Sequence, residues 1–328
     1  MMTAPQVTIV VVPRERFSYA IPSLQNIYEN TDYPFSLVYV DGGSPAYLKR
    51  YLQVEARLRG FRLIQTDHYL SPNQARNIGL KQVETKYVVF VDNDVLVSPG
   101  WLQALVRCAE ETGAWAVGPL YLEGEMAEGV IHMAGSVLQV KEENGRRILF
   151  EKHRFNGRRV SELAEPLRRG PCDVIEFHTM LVRTEIFDQI GEFDERLLNT
   201  REHVDFCLAV REAGGAVMLE PRAVVTFIAP PPFAWSDVPF YMLRWSEAWS
   251  RASLDHFNRK WNMSIDHHHM TWIRNRRREL LRPLHSLTSR VFGWRADHIE
   301  RALVHPVERA LNCSVYRMAW SRKMGLPG

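Results

Sequence analysis

The chain has 328 residues, of which 46% are hydrophobic and 24% charged, and it carries a net charge of +3. This is globular composition, enough for one large domain or a core with an appendage. No apolar run reaches the ~20 residues needed to cross a bilayer. The N-terminus enters a strand-like segment with no charged leader, so neither a membrane span nor a signal peptide is expected.

The four cysteines (Cys108, Cys172, Cys207 and Cys313) are widely spaced and form no CxxC pair. Reduced thiols in a cytoplasmic protein are the default expectation for that pattern. The charge is uneven. From Pro231 onward there are 16 Lys/Arg against 8 Asp/Glu, or +8, which leaves −5 for the first 230 residues. The change falls at "APPPFAW", the one proline run. It predicts a first domain over 1–230 and a basic, mainly helical region over 231–328.

Taken in chain order, β-branched segments recur at 7–12, 36–41, 61–66, 87–92 and 114–121. Helix-like stretches lie between them. Three begin with Ser-Pro, at Ser44-Pro45, Ser71-Pro72 and Ser98-Pro99, each 27 residues after the last. Serine caps a helix start, and proline fits the first helical position because no N–H is needed there. Strands alternating with helices predict a largely parallel sheet covered on both faces.

After residue 121 the rhythm changes. Two strand-like runs flank Glu143-Asn144-Gly145, a hairpin turn. A strand is expected over 172–183, a short helix ending on Gly191, a longer helix from Glu202 closed by Gly214-Gly215, and a strand from Ala216. The fold class is therefore α/β, with a mixed, largely parallel sheet and a helical C-terminal extension.

In open α/β sheets, ligands bind outside the C-terminal ends of the strands. Asp41 ends the second expected strand, and Asp92 and Asp94 end the fourth. Residues two apart in an extended segment point the same way. Asp92 and Asp94 can thus share one space while Asn93 turns aside. Two such carboxylates repel unless a cation sits between them. A hard divalent ion meets that need and can also take phosphate oxygens. The plainer alternative has Asp92 bonding a neighbouring loop and Asp94 capping the helix near Ser98.

The segments "VTIVVVPRER", "LVYVDGGSPAYL", "SPNQARNIGLKQVETKYVVFVDNDVLVSPGWL", "FHTMLVRTEIFDQIGEFDERL" and "REHVDFCLAVREAGG" resemble, in order, the GT-A-fold glycosyltransferases of family 2. The resemblance covers roughly residues 5–230. It implies a nucleotide-sugar donor (a UDP-sugar), a divalent metal ion (Mn2+ or Mg2+) as cofactor, and inversion at the anomeric carbon. By the same resemblance, Pro13, Arg14 and Glu15 edge the base pocket, and Asp41 holds the base. Arg76 reaches the nucleotide, Asp92 the ribose or the metal with Asn93 beside it, and Asp94 the metal.

Two departures stand out. The family's Glu-Asp pair at the start of the catalytic helix is Glu202-His203 here, with Asp205 two residues on. That leaves three candidates for the base, and Glu202 is favoured as a nearby anion at a helix N-terminus. The histidine that completes the metal site in many relatives is absent from "AVVTFIAPPP". His178, His256 or the run His267-His268-His269 could substitute, and spacing selects none of them.

Beyond residue 230, Tyr241, Trp245 and Trp249 form an i, i+4, i+8 stripe, read first as core and second as a sugar-stacking platform. The stretch 274–282 carries five arginines and one glutamate. It reads as a solvated face, an anionic-partner contact or a peripheral membrane surface, dispensable for nucleotide binding. No nucleic-acid motif accompanies it. The acceptor is left open. Two rival functions are a non-catalytic sugar-nucleotide-binding protein, prompted by Glu202-His203, and a haloacid-dehalogenase-type phosphoryl-transfer enzyme, prompted by "VVFVDNDVLV".

Overall fold

The structure is a computed structural model, and it describes residues 5–143, 145–228, 233–264 and 267–323. In chain order the first half runs β1 (Val7–Val12), α1 (Ala20–Glu29), β2 (Ser36–Gly42), α2 (Ala46–Arg59), β3 (Arg62–Thr66), α3 (Pro72–Leu80), β4 (Tyr87–Asp92), β5 (Val95–Val97), α4 (Trp101–Thr112) and β6 (Ala116–Glu123). Next come β7 (Val130–Met133), the hairpin β8 (Ser136–Glu143) and β9 (Arg146–His153), β10 (Gly170–Pro171), β11 (Thr179–Arg183), α5 (Phe187–Ile190), α6 (Glu202–Glu212) and β12 (Val217–Phe227). Helices α7 (Val238–Arg244), α8 (Glu247–Lys260), α9 (His267–Arg277), α10 (Arg282–Phe292), α11 (Ala296–Ile299) and α12 (His305–Lys323) complete the chain.

The main sheet has the order β10-β12-β6-β11-β4-β1-β2-β3, with β5 added to β12 and β7 to β6. Strands β3, β2, β1 and β4 are parallel. Strand β11 is antiparallel to both of its neighbours, β4 and β6. The expected mixed, largely parallel sheet is therefore present. Its two faces sort by residue parity. Val7, Ile9 and Val11 pack with α1, α2 and α4, whereas Val10 and Val12 pack with Ala75 of α3 and with Val204 and Phe206 of α6. Strand β4 is buried along its whole length, as a central strand covered on both faces must be.

Gly79 permits that packing. A Cβ there would overlap the Val10 side chain, so only glycine lets α3 lie this close to β1.

Of the three Ser-Pro pairs, Ser71-Pro72 opens its helix as expected, with Ser71 and Gln74 forming a capping box. The other two helices start one and two residues later. Pro45 is the residue before α2, and α4 follows Gly100 in a left-handed conformation. Ser98 is engaged elsewhere, because its backbone N–H and hydroxyl both donate to the Val224 carbonyl. The strand expected over 172–183 shortens to Thr179–Arg183. The residues before it form a loop pinned by the Tyr121 hydroxyl, which donates to the Glu176 and Thr179 carbonyls at 2.7 and 2.8 Å.

The aromatic stripe is core, but it spans two helices. Ser246 interrupts it by capping α8, its side chain accepting from the Trp249 N–H. Tyr241 and Trp245 build a small separate core with Leu254 and Ile273, so they offer no stacking platform. The proline run at 230–232 and part of the histidine run (His267 and His268) lie outside the described residues and side chains. Among the described residues, no helix is long and apolar enough to cross a membrane.

Candidate functional site

Three loops meet at the C-terminal ends of β1, β2 and β4. Asp92 ends β4 and is fully buried. Its Oδ2 accepts from His178 Nδ1 at 3.1 Å and faces Arg14 Nε at 3.5 Å, while Oδ1 faces Arg76 Nη2 at 3.6 Å. Asn93 turns aside, as expected, and its Oδ1 accepts the Arg14 N–H at 3.0 Å. Asp94 is also fully buried, and neither of its carboxylate oxygens has a hydrogen-bond partner. Asp94 does not cap α4. Its nearest cation is Arg16 Nε at 3.8 Å. Burial pushes its pKa up to about 7, with Glu15 and Asp92 adding to the rise and Arg16 opposing it.

The loop after β1 carries Pro13, Arg14 and Glu15, all at this site. Arg14 reaches Asp92, Glu15 at 3.8 Å and Glu202 at 3.4 Å. Burial would lower its pKa, yet those carboxylates raise it overall. Arg76 is fully buried on α3, 3.9 Å over the Phe177 ring, and its one hydrogen bond goes to Asn73 Oδ1 at 3.0 Å. Burial brings its pKa down to about 10 despite Asp92 and Glu202. A buried guanidinium with open N–H groups is a receiver for an anion.

Asp41 ends β2, where Oδ1 accepts the Ser44 N–H at 3.1 Å and Oδ2 accepts Gln65 Nε2 at 2.9 Å. Oδ1 thus braces the Gly42-Gly43 turn while Oδ2 ties β2 to β3, and Gly43 sits at φ +71° against the His68 backbone. The buried Tyr39 hydroxyl lies within the field of both Asp41 and Asp94, which add to burial in raising its pKa.

The start of α6 places the three base candidates in different surroundings. Arg201, just before it, has φ 65°, a conformation that costs a non-glycine residue ~1 kcal/mol. Glu202 is buried, with Oε1 3.0 Å from Arg244 Nη2 and Oε2 without a partner. Burial would raise its pKa, but Arg244, Arg14 and Arg76 bring it down to about 2. His203 turns to Glu151 Oε2 at 3.3 Å. Burial would lower its pKa, and Glu151, Glu176 and Glu202 outweigh that and raise it. Asp205 is drawn away from the other two, its oxygens held by Lys260 Nζ at 2.7 Å and Trp261 Nε1 at 2.7 Å. It is a satisfied carboxylate joining α6 to α8.

Sequence reasoning missed the contribution of the C-terminal helices. Arg244 of α7 holds Glu202. Asp237 accepts the Phe17 and Ser18 N–H groups, both at 2.9 Å. Arg276 of α9 reaches Glu15 Oε2 at 3.2 Å. Burial would raise the Glu15 pKa, and Arg276, followed by Arg14, lowers it.

The arginine run is therefore not a free basic patch. Arg274 pairs with Glu247, and Arg277, 1% exposed, pairs with Glu308. Of the stretch at 274–282, read as a solvated face, an anionic-partner contact or a membrane surface, Arg276 and Arg277 are instead taken into buried ion pairs, whereas Arg282 stays exposed. Breaking one of these buried pairs from one side costs about 3 kcal/mol. Arg276→Gln is accordingly expected to lower the unfolding free energy by about that amount in a urea titration and to weaken nucleotide binding by loosening Glu15.

Among the candidate histidines, the structure brings His178 to the site. His256 Nε2 donates to Asp194 Oδ2 at 2.6 Å, and His269 bonds the Thr200 hydroxyl at 2.7 Å.

The sequence of residues 8–191 matches the model of the family described as "Glycosyl transferase family 2". The chain belongs to glycosyl transferase family 2. Among curated relatives, "Pre-mycofactocin glycosyltransferase" of Mycobacterium tuberculosis (strain CDC 1551 / Oshkosh) is 27% identical over 161 residues, covering 48% of this chain and 30% of that protein. "O-antigen biosynthesis protein RfbC" of Myxococcus xanthus is 26% identical over 230 residues, covering 64% of this chain and 16% of that protein. The chain thus spans less than a third of the length of these relatives. Among solved structures, GalNAc-T7 with UDP, GalNAc and Mn2+ superposes at a TM-score of 0.55, with 14% identity, over 84% of this chain and 56% of that one. The fold is the GT-A fold. The family match ends before Glu202, so the base candidates lie outside it.

Proposed function

We propose that this family 2 chain transfers a sugar from a nucleotide-sugar, a UDP-sugar, to an acceptor hydroxyl with inversion. The observation that carries this reading is a cluster of buried polar atoms without hydrogen-bond partners. These are both oxygens of Asp94, Oδ1 of Asp92, Nε and Nη2 of Arg76, Nη1 of Arg16 and Oε2 of Glu202. Leaving such atoms unsatisfied costs ~1–3 kcal/mol each, and a charged, phosphate-bearing ligand with a cation satisfies both signs at once.

Asp94 and Asp92 would hold the divalent ion, and the free oxygens of Asp94 fit a hard cation. When bound, that ion supplies charge neutralisation for the departing diphosphate. Arg76 and Arg14 orient the diphosphate through their guanidinium groups, and Asp41 and Glu15 border the base. Glu202 takes the acceptor proton through Oε2, its free oxygen. The deciding experiment is calorimetry of UDP with and without Mn2+, followed by hydrolysis of UDP-sugars. Equal UDP affinity in Mn2+ and in chelator would remove the metal from this reading. Absence of any donor turnover would favour a non-catalytic binding protein.

In this reading the chain sits in the cytoplasm, where its four free cysteines stay reduced, and touches the membrane through α10. That helix exposes Leu287 (59%) and Val291 (63%), Trp294 beyond it is 79% exposed, and Arg290 and Arg295 lie among them. Apolar and basic residues interleaved on one helix suit an anionic lipid surface. Co-sedimentation with phosphatidylserine vesicles is expected to be lost in the double variant Leu287→Asp, Trp294→Asp. Unchanged vesicle binding would refute it, and a dimer abolished by the same variant would give the face to a second copy instead.

A further inference from the structure

Beside the donor site, and joined to it through His178, three side chains from two distant parts of the chain converge. His132 lies on β7, and Glu176 and His178 lie on the loop before β11. His132 Nε2 is 3.0 Å and His178 Nε2 is 3.3 Å from the same oxygen, Glu176 Oε2. The three ligand atoms all lie within 4.8 Å of one another. Zinc bonds of ~2.0–2.1 Å in a tetrahedron separate ligand atoms by about 3.4 Å, so this trio needs only small shifts to close around an ion.

A second observation concerns the far sides of the two rings. His132 Nδ1 lies 3.3 Å from Glu123 Oε2, and His178 Nδ1 lies 3.1 Å from Asp92 Oδ2. Each histidine therefore turns Nε2 inward while a carboxylate holds its Nδ1. That is the carboxylate–histidine arrangement which fixes the tautomer of metal-bound imidazoles. The rings meet edge to face at 5.7 Å. His153 is less well placed. Its Nε2 is taken by Glu151 at 3.3 Å and stays 3.9 Å from Glu176.

We propose that His132, Glu176 and His178 form a second metal site, for a borderline transition-metal ion such as Zn2+, distinct from the oxygen-rich Asp94 site. Two imidazoles and one carboxylate suit zinc over magnesium or calcium, and three protein ligands leave a fourth position for water. His178 spans both sites. With its Nε2 on the ion, its Nδ1 must donate to Asp92, and this orients the carboxylate that ends β4. The ion would also fasten β7 to the loop before β11.

The test uses the full chain, freed of metal by chelator and titrated with Co2+, whose visible absorption is intense when four-coordinate and weak when six-coordinate. Asp94→Asn disables the hard-ion site and is expected to keep one Co2+ with the intense bands, displaced by Zn2+. His132→Ala in that background is expected to abolish them. Glu123→Gln, which touches no metal, is expected to weaken Co2+ binding ~10–100-fold. Thermal melting of each variant reports whether it folds, and His132→Gln replaces His132→Ala if the smaller residue does not. No intense bands in Asp94→Asn, or bands unchanged by both His132 variants, would overturn the proposal. Neither result bears on UDP binding through Asp94, which calorimetry measures separately.

Discussion

Glu202→Gln is expected to lower sugar transfer at least ~100-fold, the low end for loss of a general base, with nucleotide affinity within a few-fold of wild type. Glutamine keeps the shape and one acceptor oxygen but cannot take a proton. It also removes the anion opposite Arg244 and Arg14, a loss worth ~3–5 kcal/mol when a buried pair is broken from one side. A melting curve must therefore accompany the rate, and only a folded variant that still binds UDP counts.

At Mn2+ concentrations that saturate the site at every pH, the pH profile separates the candidates further. Glu202, with its pKa near 2, is depressed below its ordinary value, so its stabilising pairing is fully present above about 4.5 and fades only as pH falls toward 2. It stays ionised across the working range and should impose no acidic limb near neutrality. His203 is raised above its ordinary value of 6.5. If His203 were the base, kcat/KM would fall as pH drops through a value above 6.5. Such a limb, together with full activity in Glu202→Gln and none in His203→Ala, would transfer the role to the histidine.

Asp94→Asn is expected to abolish the dependence of UDP binding on Mn2+. Asparagine keeps the outline and removes the charge whose two oxygens lack partners. In chelator the variant and wild type should bind UDP alike. In Mn2+ wild type should bind far more tightly. Burial raises the Asp94 pKa to about 7, so proton and ion compete for it below that pH. Wild-type affinity for Mn2+ should therefore rise ~10-fold per pH unit up to about 7 and then level off. In the metal-free protein the same shift makes the fold lose stability as pH climbs from about 4 toward 7. Calorimetry at three pH values checks the first point. A flat pH response, or Mn2+ dependence retained by Asp94→Asn, would contradict it.

The sheet was legible because its signals are local. Val7–Val12, Ser36–Gly42 and Tyr87–Asp92 are largely apolar runs rich in β-branched residues, with their carboxylates at the C-terminal ends. The shared rim of Asp92 and Asp94 was legible because a strand end fixes where they point, whereas Arg76 was named by the resemblance alone. Arg244, Arg276 and Asp237 were not legible. Each meets a partner between 42 and 261 residues away, and nothing in a helical arginine tells a solvated one from one plugged into a carboxylate. The trio of His132, Glu176 and His178 was hidden likewise, since two of its members share a loop read as a strand and the third comes from a hairpin edge. The partners of Asp205 were not legible either, since its place near the start of α6 says nothing of Lys260 and Trp261, which hold it.

Helices α7 and α9 are masonry in the wall of the candidate site. Asp237 clasps the loop at Phe17 and Ser18, Arg244 cages Glu202, and Arg276 steadies Glu15. A chimera that exchanges residues after 230 would also exchange these three supports, and a graft has to carry Asp237, Arg244 and Arg276 across the junction to keep the loop at Phe17 and Ser18, Glu202 and Glu15 in place.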